Sequence, residues 1–592
     1  MNLSNLNTIH ASIIIEELIR NDIDYFVISP GSRSSALAIA VAENKNAKSI
    51  IVYDERSAAF HSLGYTKATC KPAVLICTSG SATANYLPAV VEADINHIPM
   101  IIISADRPTE LRYTGANQTI NQTDLLKGYT RFSFDLEAPN DNIPLKYILT
   151  LIDSIYNYAI SNQGPVHLNI MFREPLAPIE VPYDNSILVE INKWKSSISP
   201  LTKYKKSISS IYQEDINEII LNLKNSKNPL FLIGNLPADT DIEYLLELIN
   251  KFKIPVFADI LSSVRNIKNN YIVNYYDQIL LNKDYFAQKP DFILHIGSQF
   301  VSKRLLQFLD TDIEYYYVIK NHNDRHDPNN NITNRFTANY NSTIRLFIDK
   351  LSKMESKPNN HKNNIYQEYN DNIDKYLSSF EEEDANEVQI ARIISENLNN
   401  SDCIFLSSSM PIRDMDMYSA FSKFSLKNSS FYFGINIEAN RGASGIDGVL
   451  STATGYMVGN KKDLTLVIGD LAFIHDMNAL TMLNKLEHQL TIVLINNSGG
   501  GIFSFLPIND HKKIFEPYFV TPHNFNFSDL SKNFNIKYVQ CKTNQEFKTA
   551  YNNRKKQIGE KISHLIIEVI TDRENNLLVH KKLQSILSKL DK

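Results

Sequence analysis

Cysteine is scarce in this chain of 592 residues, and its four cysteines are scattered through mostly apolar stretches, at positions 70, 77, 403 and 541. They lack the close pairing with further cysteine or histidine that structural zinc sites use. So low a content also excludes the disulfide framework of a small secreted domain. We therefore expect reduced thiols in the cores of a cytoplasmic protein.

Long apolar runs and basic runs are missing as well. No apolar stretch approaches the about 18 residues that a membrane span requires. The first twenty residues carry Glu16 and Glu17 inside a helical pattern, which is not a signal peptide. The net charge is -5 and no basic, aromatic-interleaved patch occurs. We expect a soluble protein whose partners are neither membranes nor nucleic acids.

What the sequence does contain is a repeated α/β pattern. Its length suggests about three to five domains. Apolar, strand-like runs alternate with helical segments, at 25–29, 49–53, 73–77, 100–104, 230–233, 255–258, 292–296, 315–319, 464–468 and 491–495. This order predicts an α/β protein with three doubly wound, mostly parallel sheets. The predicted boundaries are a domain at 1–180, a linker at 181–210, a domain at 211–352, a linker at 353–385 and a domain at 386–592.

Two strand ends in the third block carry oxygen-rich side chains. The run 464–468 ends in Gly469 and Asp470, a helical pattern covers 477–486, and the run 491–495 ends in two asparagines and three glycines. Because ligands of parallel sheets bind beyond the carboxyl ends of the strands, Asp470 and Asn497 would lie near a ligand. Magnesium takes oxygen ligands, and Asp470, Asn497 and the Gly499 carbonyl could supply them together with a diphosphate. The alternative is that Asp470 caps a helix and Asn497 begins a turn.

The first block repeats this order of elements. The run 73–77, the turn that contains Ser79, a helical segment and the run 100–104 correspond to 464–497. Ser79 stands where the third block has Asp470, so only the third block could hold a metal in this way. Two similar domains with unequal chemistry suit a cofactor that contacts both.

A carboxylate at a third strand end is a candidate for proton transfer. Glu55 follows the run 49–53 and precedes an alanine-rich helical segment. Burial beside that segment would raise the pKa of Glu55 and suit it to giving and taking a proton. The alternative is an exposed charged turn formed by Asp54, Glu55 and Arg56.

Eight segments carry a resemblance to a known family. They are 28–34 (ISPGSRS), 54–60 (DERSAAF), 104–108 (SADRP), 115–118 (GANQ), 302–304 (SKR), 410–414 (MPIRD), 440–448 (NRGASGIDG) and 501–504 (GIFS). With the Asp470–Asn497 pair and Glu55, they resemble the thiamine diphosphate enzymes and, among these, the 2-succinyl-5-enolpyruvyl-6-hydroxy-3-cyclohexene-1-carboxylate synthases. The chain departs from that family at Ser408, where asparagine is common, and at Ala472, where serine is common.

The resemblance implies a pyrimidine-binding domain, a central Rossmann-like domain and a diphosphate-binding domain. It also implies thiamine diphosphate held through Mg²⁺, with Mn²⁺ as a possible substitute. Glu55 matches the glutamate that bonds the aminopyrimidine, and Ile446 matches the side chain that props the cofactor in a bent shape. The residues implied to contact the cofactor or metal are Glu55, Ser409, Arg441, Ile446, Asp470, Asn497, Gly499, Ile502 and Phe503, with the role of Arg441 open between diphosphate and substrate.

The implied reaction is decarboxylation of 2-oxoglutarate and addition of the resulting succinyl carbanion to isochorismate, a transferase step of menaquinone biosynthesis. Both substrates are polycarboxylates, and arginine binds carboxylates bidentately. The residues implied to face isochorismate are Ser32, Arg33, Arg107, Asn117, Gln118 and Lys303, and those implied to face the succinyl end are Arg304, Ser409 and Arg413. Taken singly, Arg107 could cap a strand, Lys303 and Arg304 could start a solvated helix, and Ile502 with Phe503 could be core.

Two other functions stay open at this point. One is a different thiamine diphosphate enzyme acting on 2-oxo acids, such as an acetolactate synthase or a decarboxylase. The other is a regulatory homologue that binds the cofactor without turnover.

The family further implies a homodimer or dimer of dimers, in which Glu55 of one chain and Asp470 of another contact one cofactor.

Overall fold

The computed structural model describes residues 2–353, 361–398, 402–420, 436–555 and 562–590. The chain divides into two compact units. The first contains residues 1–206, 440–461 and 474–488, and the second contains 207–439, 462–473 and 489–592. All four cysteines are thiols.

The first unit is built on a six-stranded parallel sheet of order β2-β1-β3-β4-β6-β5. Its strands are β1 (Tyr25–Ile28), β2 (Lys48–Ile51), β3 (Val74–Cys77), β4 (Met100–Asp106), β5 (Phe132–Leu136) and β6 (Pro165–Met171). The central strands are buried over their whole length, because helices cover both faces of such a sheet.

The helices between these strands are α1 (Leu6–Arg20), α2 (Ser35–Glu43), α3 (Glu55–Thr69), α4 (Ser81–Asn85), α5 (Leu87–Ile95), α6 (Leu145–Ser161) and α7 (Asn192–Lys195). A later helix of the same unit packs tightly on α3. A Cβ on Gly64 would strike the Thr452 carbonyl, and one on Gly455 would strike the His61 carbonyl. The His61 ring also bonds the Thr454 hydroxyl at 2.8 Å. Glycine therefore allows the two helices to meet backbone to backbone.

The second unit contains two parallel sheets. The first has the order β11-β10-β9-β7-β8, formed by β7 (Pro229–Ile233), β8 (Val256–Ala258), β9 (Phe292–Ile296), β10 (Tyr315–Lys320) and β11 (Asn334–Thr337). Its helices are α8 (Gln213–Asn225), α9 (Ile242–Phe252), α10 (Tyr276–Ile279), α11 (Lys283–Ala287), α12 (Lys303–Phe308), α13 (Tyr340–Ser352) and α14 (His361–Ser379).

The other sheet has the order β13-β12-β14-β15-β17-β16, with β12 (Cys403–Leu406), β13 (Asn436–Ala439), β14 (Leu464–Gly469), β15 (Leu490–Asn496), β16 (Lys537–Cys541) and β17 (Leu565–Ile570). This is the strand order of the first sheet, so the similarity predicted between the first and third blocks extends to topology. The remaining helices are α15 (Glu387–Glu396), α16 (Met410–Tyr418), α17 (Val449–Asn460), α18 (Asp470–His475), α19 (Leu480–Leu483), α20 (Lys512–Phe515), α21 (Phe527–Asn533), α22 (Asn544–Asn552) and α23 (Arg573–Leu587).

The α/β class with three parallel sheets is confirmed, and every predicted strand lies within two residues of an observed one. The helical pattern at 477–486 is broken into the 3-10 turn Met477–Ala479 and the single turn α19. No helix among the described residues is long and apolar enough to cross a bilayer.

The stretch predicted as the second linker, 353–385, is largely helical. Helix α14 occupies 361–379 and buries Tyr366, Tyr369, Ile373 and Leu377. Its apolar positions lie among asparagines and acidic residues, so the polar composition masked the helical spacing. The first predicted linker, 181–210, likewise contains a 3-10 segment and α7, with Trp194 buried. The domain boundaries themselves stay a prediction.

Candidate functional site

The ends of β14 and β15 bring Asp470 and Asn497 to one edge of the third sheet. The two strands pair in parallel, with Gly469 beside Ile495. Asp470 is the first residue of α18 and only 2% of it is exposed. Asn497 follows β15 directly and is half-buried. The strand-helix-strand arrangement therefore positions both side chains as the sequence predicted.

The Asp470 carboxylate is held by backbone donors. One oxygen accepts from the Leu471 N–H at 2.7 Å and the other from the Gly499 N–H at 2.9 Å. The His523 Nε2 atom lies 3.2 Å from that second oxygen. Burial raises the pKa of Asp470, and the Gly499 hydrogen bond opposes this rise. The carboxylate therefore ties the start of α18 to the Gly499 segment, and its buried charge would favour a nearby cation.

Asn497 presents an oxygen without a partner. Its Nδ2 group donates to Glu387 Oε1 at 3.0 Å. Its Oδ1 atom is buried and accepts no hydrogen bond. Since a buried amide oxygen is normally satisfied, this atom suits a ligand such as a hard cation.

Gly499 completes this end of the site. Its φ of 136° is a backbone conformation that glycine adopts readily. A Cβ at this position would strike the Val520 carbonyl. The Gly499 carbonyl accepts from the Gly501 N–H at 2.9 Å, and a carbonyl oxygen has a second lone pair for a ligand. Asp470, Asn497 and Gly499 together form a donor set that fits magnesium or manganese bound to a diphosphate.

Glu387 is a residue of this site that sequence analysis missed. It lies in the first turn of α15, is 2% exposed, and is the hydrogen-bond acceptor for Asn497. Burial, with the nearby Asp414 carboxylate, raises the pKa of Glu387 to about 8. An acidic residue in a first helical turn is ordinarily explained by the helix dipole, so no sequence signal set it apart.

Around Asn497, the segment that carries Ile502 and Phe503 forms a 3-10 turn, Gly501–Phe505. Both residues are half-buried. The Phe503 ring meets the Phe519 ring edge to face, with centroids 5.6 Å apart. Neither side chain is fully enclosed by the chain itself, so the interpretation as plain core does not account for them.

The predicted succinyl-side residues lie on two helices of the second unit. Ser409 has a φ of 75° just before α16, and the Arg413 guanidinium donates to its carbonyl. Arg304 donates to the Asp277 carboxylate and, at 2.9 Å, to the Asp277 carbonyl. Its neighbour Lys303, which was predicted to face isochorismate, is exposed at the start of α12. The exposure of Lys303 leaves its substrate role a prediction, and for Arg304 a substrate would have to use the donors that Asp277 leaves.

In the first unit, Glu55 begins α3 as its first residue. Asp54 caps the helix by accepting from the Ser57 N–H at 3.2 Å, and Arg56 donates to the His475 carbonyl at 2.6 Å. The alternative interpretation of residues 54–56 as an exposed charged turn is therefore wrong, because these residues begin a helix. Glu55 is partly exposed and faces a cavity of about 630 Å³ lined also by Tyr53, Asp54, Arg56, Asn85, Asn478 and Thr481. The single chain therefore does not bury Glu55 fully.

The loop that carries Arg441 and Ile446 is anchored by a buried carboxylate. Glu92, in α5, accepts from the Gly442 N–H at 2.8 Å and the Ala443 N–H at 2.6 Å. It is 2% exposed. Ile446 is 40% exposed, and Arg441 is half-buried. A large aliphatic side chain on an anchored loop is suited to contact a cofactor. Glu92 was not predicted from sequence.

Several predicted isochorismate residues gather around Ser79, after β3. The Arg107 guanidinium donates to the Ser79 hydroxyl, and the Gln118 amide donates to the Ser79 carbonyl at 2.9 Å. Burial and the charge of nearby Arg33 lower the pKa of Arg107. Arg33 is itself buried and donates to the Phe172 carbonyl at 2.9 Å. Two cations in such proximity favour a bound carboxylate.

The other three members of this set, Ser32, Asn117 and Lys303, are exposed. Ser32 lies in a 3-10 turn beside Arg33. The two departures from the family pattern, Ser408 and Ala472, are both 4% exposed, so the change of side chain occurs inside the protein.

Comparison with family models finds three matches along the chain. Residues 10–125 match the thiamine pyrophosphate enzyme N-terminal TPP binding domain. Residues 185–406 match the middle domain of thiamine pyrophosphate enzymes, and residues 436–562 match the C-terminal TPP binding domain. The three matches follow the order of the three sheets without covering them fully. Strands β5 and β6 lie after the first match, β12 of the third sheet falls within the middle match, and β17 lies after the last.

Comparison with curated proteins finds similarity over the full length. The 2-succinyl-5-enolpyruvyl-6-hydroxy-3-cyclohexene-1-carboxylate synthase of Prosthecochloris aestuarii is 40% identical over 100% of this chain and 99% of that protein. The synthases of the same name from Chlorobium phaeobacteroides and Chlorobium chlorochromatii are each 39% identical. The alignment with the first covers 99% of each chain, and the alignment with the second covers 100% of each chain.

Proposed function

The chain belongs to the 2-succinyl-5-enolpyruvyl-6-hydroxy-3-cyclohexene-1-carboxylate synthases, a family of thiamine diphosphate-dependent transferases in menaquinone biosynthesis. On this premise we propose its substrates, its metal and the roles of its residues. The proposed reaction takes 2-oxoglutarate and isochorismate and releases carbon dioxide. The observation that carries the proposal is the buried, unpartnered Oδ1 of Asn497 at the strand end beside Asp470.

Asp470, Asn497 and the Gly499 carbonyl would hold Mg²⁺, or Mn²⁺ in its place, against the cofactor diphosphate. Oxygen ligands of this kind suit both ions. Ser409, Arg441, Ile502 and Phe503 would complete the cofactor's surroundings. Thiamine diphosphate supplies a thiazolium carbon that adds to the keto carbon of a 2-oxo acid and allows carbon dioxide to leave.

Two residues of the chain would act on the cofactor itself, one by exchanging a proton with it and one by holding its shape. Glu55, which lines an open cavity at the start of α3, would share a proton with a ring nitrogen of the aminopyrimidine, donating when the carboxyl is protonated and accepting once the ring nitrogen carries the proton. Ile446 would press on the cofactor from a loop that Glu92 anchors. These roles come from family resemblance, and the exposure of both side chains is compatible with them.

The substrates would be selected by charge. Arg33 and Arg107, with Ser32, Asn117, Gln118 and Lys303, would bind the two carboxylates of isochorismate. Arg304, Arg413 and Ser409 would bind the distal carboxylate of 2-oxoglutarate. The support is the close pair of guanidinium groups next to Ser79. A small uncharged acceptor would gain nothing from this pair.

We also propose a homodimer or dimer of dimers, in which Glu55 of one copy and the proposed metal ligands Asp470, Asn497 and Gly499 of a second copy bind one cofactor. The partial exposure of Glu55 and Ile446 supports this, because a second copy could cover them. A cytoplasmic location belongs to the same proposal and fits the four cysteine thiols.

The test is a product assay. Purified protein is mixed with thiamine diphosphate, Mg²⁺, 2-oxoglutarate and isochorismate, and the succinylated product is sought by mass. We expect that product, with carbon dioxide released in equal amount. Faster consumption of pyruvate than of 2-oxoglutarate would instead indicate an acetolactate synthase or decarboxylase, and cofactor binding without turnover would indicate a regulatory homologue.

A further inference from the structure

The side chain of Asn497 has two chemically different ends, and a cation can use only one of them. The amide oxygen is a ligand, whereas the NH₂ group would direct positive charge at the ion. Which end faces the site depends on the hydrogen-bond partner of the other end. Here the Nδ2 group donates to Glu387 Oε1 at 3.0 Å and the oxygen is left unpartnered.

Glu387 is itself held by several elements of the second unit. Its backbone N–H donates to the Asn576 side chain of α23 at 3.2 Å. Its second carboxyl oxygen is buried and makes no hydrogen bond. Asp414 of α16 lies near enough to raise its pKa, and His580 of α23 bonds Asp414 at 2.8 Å. The backbone of Glu387 is thus tied to α23, and its carboxyl group is buried beside Asn497.

A carboxyl group in this position is costly to the fold. Removing a charged or polar carboxyl from water destabilises a protein unless it is compensated. Glu387 has one direct side-chain hydrogen bond, and that bond goes to a candidate metal ligand. A purely structural first-turn residue has no need to be buried against a strand end.

We propose that Glu387 is a positioning residue, which fixes the Asn497 amide so that its oxygen and not its NH₂ group faces the cation. This inference rests on the proposed metal site. Groups that orient metal ligands through a hydrogen bond commonly change metal affinity by about 10- to 100-fold when they are removed. Glu387 would act through Asn497 and touch neither metal nor substrate.

The test measures metal binding directly. Mn²⁺ is titrated into the protein with thiamine diphosphate present, and free Mn²⁺ is followed by its electron paramagnetic resonance signal. Glu387→Met removes the acceptor at similar volume, and we expect the Mn²⁺ dissociation constant to rise about tenfold or more. Glu387→Gln retains an acceptor oxygen, and we expect it to stay within about threefold of the wild type.

Two further variants separate positioning from folding. Glu396→Met removes a carboxylate from the other end of α15, where it pairs with Arg392 at 3.0 Å, and we expect wild-type Mn²⁺ affinity. If Glu387→Met does not fold, Glu387→Asp withdraws the acceptor by one methylene and is expected to weaken Mn²⁺ binding severalfold.

Unchanged Mn²⁺ affinity in a folded Glu387→Met or Glu387→Asp protein would overturn the positioning role. Equal weakening in Glu387→Gln and Glu387→Met would also overturn it, since only the methionine removes the acceptor. If the wild-type protein binds the cofactor without any metal, the proposed metal site itself fails. This result differs from failure of the positioning role, because it is seen in the wild type without any variant.

Discussion

Replacing Glu92 with leucine should release the loop that carries Arg441 and Ile446. The Glu92 carboxylate accepts from the backbone N–H groups of Gly442 at 2.8 Å and Ala443 at 2.6 Å. Leucine is similar in size but accepts nothing, so both amides lose their partner. Gly442 is half-buried and Ala443 is exposed, so the loss is the net value of each hydrogen bond, about 0.5–1.5 kcal/mol, or about 1–3 kcal/mol for the two.

The assay is hydrogen exchange of a peptide covering residues 440–448. Since each 1.4 kcal/mol changes an equilibrium constant about tenfold, the smaller figure of about 1 kcal/mol corresponds to about fivefold faster exchange at these amides. Glu92→Gln retains one acceptor oxygen and should lie between leucine and wild type. Glu110→Gln, which removes the charge from an exposed pair with Arg173, is the control and should change nothing in this peptide. Wild-type protection in the Glu92→Leu protein would refute the anchoring role.

Three other predictions concern the first unit. Glu55→Gln should bind thiamine diphosphate with Mg²⁺ but lose proton exchange at the thiazolium carbon, measured by NMR, and near-normal exchange would contradict the role. Arg107→Lys should raise the KM for isochorismate about tenfold or more while the KM for 2-oxoglutarate changes little, because lysine cannot bind a carboxylate bidentately; Arg173→Lys, at the exposed pair with Glu110, is the matched control. Burial raises the pKa of Glu17 from 4.5 to about 7, so the folded state holds a proton that the unfolded state releases, and stability should fall as pH rises between these values. Glu17→Gln should flatten this fall in thermal midpoint, and an equal pH dependence in both proteins would contradict the assignment.

Much of the site follows from strand ends, which the sequence marks well. A β-branched apolar run followed by Gly469-Asp470, and a second followed by Asn497, predicted that Asp470 and Asn497 lie together, because parallel strands place their carboxyl ends at one edge. The same logic found Glu55 at the end of the second strand. Hydrophobic runs are local signals, so the three sheets were predicted for the same reason.

Side-chain pairing across long sequence distances was not predictable. Glu387 meets Asn497 across 110 residues and Glu92 meets Ala443 across 351 residues. No local pattern specifies such partners. The contact of Arg304 with Asp277 was missed for the same reason, and it leaves the substrate role of Arg304 a prediction. Helix α14 was missed because its buried positions are spaced among polar residues.

The central claim is that Asp470 and its neighbours hold a divalent ion against the cofactor diphosphate. Isothermal titration of thiamine diphosphate into the wild type and Asp470→Ala, with and without Mg²⁺, tests it most directly, and Asp529→Ala at an exposed position of α21 is the control. We predict tight binding in the wild type and the control only when Mg²⁺ is present, and binding at least about tenfold weaker in Asp470→Ala. Wild-type binding that ignores Mg²⁺, or unchanged affinity in Asp470→Ala, would contradict the account.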